Sequence, residues 1–470
     1  MTTPNFRPAR VAAAVATLFA LGAGQAHGAA FALQENSGSG LGNAFAGGAA
    51  FTEDVSGMWA NPATLSKRMR MEAAGALHIV TPSIKFEDGG SAAAFGQPLG
   101  GTGGDAGSTA FVPNLYFAMP INRQWVFGIG VNAPFGLKTE YDDTWMGRYQ
   151  AVKSEVKTIN VNPAISWRPT DNLAFGLGVN WQRVDAEFTN HVNYSGAIAT
   201  AAQQAAAGGQ IPPGLVPTII GATPGLDSKA KVDGDDSAWG WNIGVLWDVT
   251  PATRVGASYR SEIKYDIRGN ASFDNPAVTV PPPLAPVVGV LTNAINTTRL
   301  YNGGISADIK FPAIANVSFF TRLNDRWDVM ADLQWTGWSS IKDLTFVRTD
   351  GTGVLSSTPE NFDDSWRFAV GANYRHDDRW TFRGGIAFDQ SPVNAQDRTP
   401  RLPDEDRWWF SVGAQYKWNP NLKLDGGFTY IDAKNASISQ SAGSAAAFGL
   451  LQGNYNASVT IFSLQATYTF

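Results

Sequence analysis

Apolar and polar residues alternate with a period of two through most of this chain. In the last nine residues, the apolar positions are 462, 464, 466, 468 and 470, and the positions between them are Ser, Gln or Thr. Because successive side chains of a strand point to opposite faces, this pattern predicts strands with one apolar face. The same alternation recurs in residues 125–131, 173–182, 239–247, 327–335, 366–375 and 408–418. Aromatic residues stand at the ends of these apolar faces, as they do at the membrane interfaces of a transmembrane barrel.

The connections between these segments alternate in length. Seven long connections separate the short ones, which lie near 120–124, 168–172, 249–253, 322–326, 375–379 and 417–421. Thirteen connections give fourteen strands, with both ends on the side of the short turns. An even strand number with short periplasmic turns is typical of bacterial outer-membrane barrels. We therefore predict an all-β fold, a transmembrane antiparallel β-barrel of about 14 strands formed by residues 69–470.

The N-terminus predicts export. Residues 1–28 combine Arg7 and Arg10 with an apolar run and small residues at a cleavage site, which is typical of a signal peptide. We expect cleavage after Gly28, with cleavage after Ala30 as the alternative. The chain contains no cysteine, so its stability must come from strand pairing and not from disulfides. Together these features indicate the outer membrane of a Gram-negative cell.

Composition excludes two other classes of protein. Hydrophobic residues make up 44%, the mean hydropathy is -0.14, and no apolar run of 18 residues or more follows the N-terminal segment. These values argue against a helical membrane protein. The net charge of -5 is spread along the chain, which argues against a nucleic-acid partner. The 50 glycines and 16 tryptophans suit a barrel with a crowded lumen and interfacial aromatics.

One segment does not follow the strand pattern. Residues 29–68 are rich in Gly, Ala and Ser and contain only short apolar pieces. Such a segment is too small to fold alone, but a barrel of fourteen strands has room for it in the lumen. We interpret residues 29–68 as an N-terminal hatch, or plug, inside the barrel. A disordered tail is the alternative.

Three short motifs within this segment resemble one known family. They are Ala30–Gln34, Ser37–Ala44 and Ala60–Ala63, and on them the chain resembles the outer-membrane long-chain fatty acid transporter family (FadL/TodX type, OmpP1-like). Weaker similarity extends over essentially the whole mature chain. The resemblance implies diffusive, ligand-gated uptake of hydrophobic molecules. The expected steps are capture at outer loops, an inner pocket, hatch rearrangement and lateral exit near the third strand.

The resemblance also implies gate residues. Phe31 stands at the position of the family's N-terminal gate, and Asn61, Pro62 and Ala63 stand at its hatch motif. The third strand breaks at Pro134, Phe135 and Gly136. Because proline lacks a ladder donor and glycine often marks a bulge, we predict that this kink opens the wall toward the hatch. The ordinary end of a strand at an outer loop is the alternative.

Ligand-binding candidates come from two places. The two longest loops are unusually apolar, which is typical of binding surfaces, and they supply Leu215, Ile219, Val287 and Val288. Packing of these loops on one another is the alternative. Strand residues expected to face the lumen supply candidate partners for a ligand carboxylate, namely Arg183, Arg260, Arg367 and Arg383. Thr345 occupies a position where the family's best-known members have Lys. Fatty acids are thus the first expectation, and aromatic or aliphatic hydrocarbons the alternative.

The sequence gives little support for catalysis, a cofactor or a metal. His78, His191 and His376 are scattered, and no hydrolase or nucleotide-binding motif appears. Asp404-Glu405-Asp406 is interpreted as a solvated loop end in preference to a cation site. We therefore expect a transporter and not an enzyme. An outer-membrane lipid hydrolase and a general porin are the alternatives from other classes. Expected partners besides the ligand are outer-membrane lipid and the barrel-assembly machinery, which would bind the last strand ending in Phe470. We expect a monomer.

Overall fold

The computed structural model describes residues 29–441 and 444–470. The predicted signal peptide, residues 1–28, lies outside the described residues. One antiparallel sheet closes on itself, because the first strand pairs with the last from Glu72 opposite Thr469 to Asp88 opposite Gly453. The predicted barrel is confirmed, and with it the count of fourteen wall strands.

Twenty strand segments build these fourteen wall strands, because six wall strands are each interrupted once: β3/β4, β8/β9, β10/β11, β12/β13, β14/β15 and β18/β19. The segments are β1 (Glu72–Asp88), β2 (Ala110–Pro120), β3 (Trp125–Asn132), β4 (Gly136–Glu140), β5 (Lys153–Thr170), β6 (Leu173–Asn193), β7 (Asp227–Asp248), β8 (Thr253–Arg260), β9 (Ile263–Asp274), β10 (Gly303–Phe311), β11 (Ile314–Arg322), β12 (Trp327–Thr336), β13 (Asp343–Arg348), β14 (Gly353–Pro359), β15 (Ser365–Arg375), β16 (Trp380–Asp389), β17 (Arg407–Lys417), β18 (Leu422–Ala433), β19 (Ala436–Gln440) and β20 (Leu451–Thr469).

Helices occur in the lumen and in the long connections. The α-helices are α1 (Gly38–Leu41), α2 (Tyr194–Ala207), α3 (Val216–Ala222), α4 (Ala285–Thr298) and α5 (Ala445–Phe448). Short 3-10 helices cover Gly48–Ala50, Val55–Met58, Pro62–Lys67, Pro213–Leu215 and Trp338–Ser340. Within the described ranges, none of the helices has the length and apolar character needed to span a membrane.

The six short turns lie where the sequence predicts them, and five share one device. The side chain of Asn122 accepts hydrogen bonds from the backbone amides of Gln124 (2.9 Å) and Trp125 (3.0 Å). Equivalent pairs form at Thr250, Asn324, Asp377 and Asn419. A short polar side chain thus satisfies the amides that open the next strand, which is why Asn, Asp and Thr occur at these turns.

The outer face changes character along the longest strands. On β6, Phe175, Leu177 and Val179 point outward and are exposed, as expected for side chains that face lipid. Beyond Trp181 the same face becomes charged, beginning with Arg183. At about 3.3 Å per residue and a tilt of about 40°, the apolar part of β6 spans roughly 23 Å along the membrane normal, close to the usual apolar band.

Residues 29–68 lie in the lumen, and glycines in the wall make room for them. A Cβ at Gly385 of β16 would overlap the carbonyl oxygen of Asn43, and one at Gly176 of β6 would overlap the backbone amide of Ala63. The segment therefore packs directly on bare wall backbone at these points. This close approach explains why glycine occupies inward positions of strands whose outward positions are large and apolar.

Candidate ligand cavity and gate

An apolar cavity of about 820 Å³, including its open mouth, lies in the half of the barrel nearer to the long connections. Wall strands β5, β6, β9 and β10 contribute aliphatic side chains, and the β13–β14 hairpin and the connections beside it contribute aromatic ones. The main lining residues are Val156, Val184, Ile267, Ile305, Ile309, Leu344, Phe346 and Phe362. A cavity with this lining binds an apolar solute mainly by removing its surface from water.

Phe31 forms part of the lining and is held in an aromatic cage. Its ring centroid lies 4.7 Å from that of Trp338, 5.2 Å from that of Phe311 and 5.8 Å from that of Phe135. Each of these three residues stands where a wall strand is interrupted: after β3, at the end of β10, and after β12. The interruptions turn large side chains inward at one level, and Phe31 fills the space between them.

The backbone beside Phe31 pairs with the kink of the third wall strand. Ala32 forms an antiparallel bridge with Phe135. The amide of Leu33 donates to the carbonyl of Pro134, and the amide of Gly136 donates to the carbonyl of Phe31, both at 2.8 Å. In the wall itself, β4 pairs only with β5, and β2 pairs with β3 only from Leu115 onward. The N-terminal segment thus covers a strand edge that has no neighbour in the wall.

Two acidic side chains hold the start of the same segment. The amide of Ala29 donates to Asp389 (3.2 Å), and the amide of Ala30 donates to Asp404 (2.8 Å). Asp404 also forms an ion pair with Arg407. Our interpretation of residues 404–406 as a solvated loop end is therefore wrong for Asp404, which is buried. Burial raises the pKa of this carboxyl above its ordinary value.

A second cavity of about 880 Å³, with a mixed polar and apolar lining, lies on the other side of the N-terminal segment, between the wall and residues 29–68. We call it the hatch chamber; its lining includes Ala32, Leu33, Pro134, Asn242, Arg260 and Arg367. Arg260 lies over the ring of Trp59 at 3.6 Å and donates to the Trp59 carbonyl (2.8 Å). Arg367 donates to the Ala44 carbonyl (2.7 Å). Both arginines thus hold the hatch backbone.

The four predicted arginines do not meet in one site. Arg260 and Arg367 line the hatch chamber, and Arg383 forms ion pairs with Glu53 (2.5 Å) and with Asp425. Arg183 lies on the outer face, where it pairs with Asp185 (3.0 Å) and Asp235 (2.9 Å), so the prediction that it faces the lumen is wrong. Counting by two from the outward Trp181 would have given the correct face.

Asn61 ties the hatch motif to the wall. Its amide nitrogen donates to the carbonyls of Ala49 (2.7 Å) and Val245 (2.9 Å), and its side-chain oxygen accepts from the amide of Ala63 (2.9 Å). The last bond caps the 3-10 helix that begins at Pro62. Proline suits this first position, because the N–H that it lacks would have no partner within the helix. One side chain therefore joins two hatch turns and strand β7.

The apolar loop residues pack mostly on one another. Ile219 and Val288 are buried in a core between α2, α3 and α4, with Leu215 and Val287 packed against it. A larger loop cavity, about 1800 Å³ including open space, adjoins α2 and the β13–β14 hairpin. The four predicted loop residues do not belong to its lining, so the alternative interpretation, loops packed as a cap, describes them better.

Residues 19–470 match the family model described as outer membrane protein transport protein (OMPP1/FadL/TodX). The chain belongs to this family. It is 32% identical over 439 residues to the long-chain fatty acid transport protein of Escherichia coli (strain K12), covering 91% of this chain and 93% of that protein.

Solved structures of the family have the same fold. A Pseudomonas aeruginosa FadL homologue superimposes with a TM-score of 0.81 at 27% identity, covering 94% of this chain and all of that one. The P. putida toluene transporter TodX superimposes with a TM-score of 0.65 at 18% identity, covering 95% of this chain and 99% of that one, which shows the fold alone. Membership confirms an outer-membrane transport protein and not an enzyme.

Of the residues that line the apolar cavity in this member of the OMPP1/FadL/TodX family, only Phe31 was predicted from the sequence, and the charged residues that were missed include two that lie outside the strands. Glu360, which follows β14, and Arg401, in the connection between β16 and β17, both line this cavity. Neither residue lies in a segment where apolar and polar residues alternate. The sequence therefore could not show whether either side chain points into the barrel. Thr345 lies on β13 and donates to Asp343 (2.5 Å); it does not line the cavity.

Proposed function

We propose that this barrel mediates diffusive, ligand-gated uptake of hydrophobic molecules, with long-chain fatty acids as the main substrate. The ligand enters among the outer loops, occupies the apolar cavity, displaces the N-terminal segment and leaves sideways through the wall at the third strand. The name of the E. coli relative supports the choice of substrate. The observation that carries the mechanism is that Phe31 lines the cavity while its own backbone covers the kink.

This double role couples binding to opening. A ligand that fills the apolar cavity competes with the Phe31 ring for the cage of Phe135, Phe311 and Trp338. If Phe31 leaves the cage, the two backbone hydrogen bonds to Pro134 and Gly136 break with it, because they involve Phe31 and its second neighbour Leu33. The unpaired edge between β2 and β4 is then uncovered, and an apolar molecule has a path into the membrane.

The hatch and the outer surface complete the proposal. Asn61, Pro62 and Ala63 act as the anchor on which the rest of residues 29–68 remains while the first residues move. The exposed aliphatic and aromatic band supports direct contact with outer-membrane lipid. We further propose that the chain acts as a monomer and that the barrel-assembly machinery recognises β20, whose alternation continues to Phe470.

The test is a reversible lock between gate and kink. Ala32 and Phe135 are bridge partners without mutual hydrogen bonds, the arrangement in which facing side chains come closest. The double variant Ala32→Cys/Phe135→Cys therefore suits a disulfide, and the chain has no other cysteine. Oleate uptake by the purified chain in liposomes should stop in the oxidised form and return after reduction.

Two controls make this test specific. Each single-cysteine variant should transport oleate with or without oxidant, and the oxidised double variant should still bind oleate. If the locked form transports as well as the reduced form, lateral exit through the kink is wrong. Absence of oleate transport in the unmodified chain would reject the substrate itself.

A second candidate function is uptake of aromatic or aliphatic hydrocarbons by the same route. The nearly continuous apolar lining favours it, since such a lining holds a hydrocarbon as well as an acyl chain. Competition of toluene with oleate for binding distinguishes the candidates. Saturable toluene binding without oleate binding would move the substrate to hydrocarbons and leave the gate unchanged.

A further inference from the structure

We propose that the guanidinium of Arg401 binds the carboxylate of a long-chain fatty acid in the apolar cavity and makes this chain selective for acids over neutral hydrocarbons. The inference rests on the proposed function and adds to it the group that recognises the ligand's carboxylate. It concerns a residue of the β16–β17 connection.

Arg401 is a partly buried cation that has no acidic partner at ion-pair distance. Its Nη1 donates to the Ser154 hydroxyl at 3.3 Å, and the guanidinium lies 5.3 Å from the ring centre of Phe188. Among the residues that the structure describes, no carboxylate oxygen lies within 4.0 Å of it. A planar guanidinium in this state retains donors that match the two oxygens of a carboxylate.

Its neighbour in the same connection is the useful contrast. Arg398, three residues earlier, forms an ion pair with Glu405 and donates to the carbonyls of Asp404 (3.1 Å) and Ser437 (2.6 Å). Arg398 therefore has its donors committed to holding the connection in place. Arg401 has one long bond to a hydroxyl and lines the cavity. The connection thus uses one arginine for structure and presents the other to the ligand.

The other charged groups of the cavity leave Arg401 available. Asp233 is one of them, and it pairs with Lys231 (3.6 Å). Glu360 is the other. Burial raises the pKa of Glu360 to about 8, an effect that Asp397 strengthens and Arg401 opposes. Glu360 is therefore mostly neutral at pH 7, whereas Arg401, whose pKa burial lowers to about 10, stays charged. Arg401 thus keeps its charge beside apolar walls, and neither acid of the lining forms an ion pair with it.

The experiment compares two probes that differ only at the head, oleate and oleyl alcohol. Binding of each to the purified full chain in nanodiscs is measured through competition with a fluorescent fatty acid at pH 7. Wild type should prefer oleate. Arg401→Met, which keeps the apolar stem and removes the charge, should weaken oleate binding about tenfold, as expected for a lost charge-assisted hydrogen bond, and leave oleyl alcohol unchanged.

Two further variants guard against a folding artefact. Arg401→Lys keeps the charge and should restore most of the preference for oleate, and Arg183→Met, on the outer face, should change neither ligand. Equal weakening of both ligands in Arg401→Met, or an undiminished preference for oleate, would overturn the inference while leaving the proposed function intact. If wild type binds neither probe, the proposed function itself fails.

Glu360→Gln gives an independent readout that does not require Arg401 to be changed. Above pH 8, ionised Glu360 should compete with the ligand carboxylate for Arg401, so wild-type oleate affinity should fall between pH 7 and pH 9. In Glu360→Gln the fall should disappear. A fall of equal size in both proteins would contradict the pairing of Glu360 with Arg401 and count against this assignment.

Discussion

The apolar cavity and the hatch chamber lie on the two sides of one short segment, and their linings differ. Phe31 lines the first, and Ala32 and Leu33 line the second. The apolar cavity is walled almost entirely by aliphatic and aromatic side chains, whereas the hatch chamber has a mixed lining, in which amides and arginines stand beside apolar groups such as Phe45 and Trp59. An apolar ligand therefore displaces less water from polar groups in the first than in the second.

In the proposed mechanism, this difference gives residues 31–33 the role of a gate. A ligand bound in the apolar cavity would meet a more polar lining in the hatch chamber, which favours exit sideways at the kink over passage through the hatch. The hatch can then stay anchored by Arg260, Arg367, Arg383 and Asn61 while its first residues move.

Reversing the polarity of the apolar cavity should abolish binding there. Val184→Asp places a carboxylate among aliphatic side chains, where it either stays neutral or competes with the ligand for Arg401, the cation of the same cavity. Saturable oleate binding should be lost. As the matched change in the hatch chamber, Asn242→Asp should be tolerated, because its side-chain oxygen already accepts hydrogen bonds from the side-chain amides of Asn162 and Asn180, both at 3.0 Å. Equal loss in both variants would show that the two sides do not differ.

Removing the gate ring should join the two cavities. Phe31→Ala deletes the ring from its aromatic cage, a loss of about 3–5 kcal/mol for a buried phenylalanine. Hydrogen exchange of residues 29–36, followed by mass spectrometry, should accelerate strongly. Phe31→Leu, which keeps apolar contact, should lie between wild type and alanine. Unchanged protection in Phe31→Ala would mean that Asp389 and Asp404 alone hold the segment.

The segment's stability should depend on pH through Glu35. Burial raises the pKa of this hatch carboxyl from 4.5 to about 7, with Arg367, Asp389 and Arg407 acting on it as well. A raised pKa means that the docked form binds more protons, so docking is most stable below pH 4.5 and weakens between pH 4.5 and 7. The difference corresponds to about 3 kcal/mol. Exchange rates of residues 29–40 should show this change in wild type relative to Glu35→Gln.

Loosening the anchor should affect the hatch and spare the cavity. Asn61→Ala removes a cap and two hydrogen bonds to backbone carbonyls, for a loss of about 2 kcal/mol. Exchange in residues 48–67 should increase, with oleate affinity unchanged. Asn419→Ala, at an exposed periplasmic turn with a similar two-amide device, should leave hatch exchange as in wild type. A lower oleate affinity in Asn61→Ala would mean that the two cavities are coupled through the anchor.

The strands and turns were predictable because both follow local rules. Alternation gave the outward face of β6, and Asn or Asp before a strand gave the short turns. The interruption at Pro134 was visible too, since proline and glycine mark it. The strand breaks at Phe311 and Trp338 were not predicted. Phe311 precedes a proline in a stretch where the alternation is irregular, and Trp338 lies in a connection where apolar and polar residues do not alternate.

The site was less predictable than the fold. Arg183 was misassigned although the period already placed it outside, an error of counting and not of information. Arg401 and Glu360 were out of reach, since their directions depend on how long connections return into the barrel mouth. The shared cage of Phe31 is a tertiary feature: its members are separated by up to about three hundred residues and meet only because three strands break at one level.

The length of β6 and β7 sets the height at which a ligand meets the molecule. With 21 and 22 residues, at about 3.3 Å each and a tilt of about 40°, these strands rise roughly 50–55 Å along the membrane normal, about twice the apolar band. The charged outer surface that begins at Arg183 is thus a collar standing in the sugar and phosphate layer of the outer leaflet. In the proposed mechanism, the barrel would act as a sleeve that takes an apolar molecule past that charged layer to the level where hydrocarbon begins.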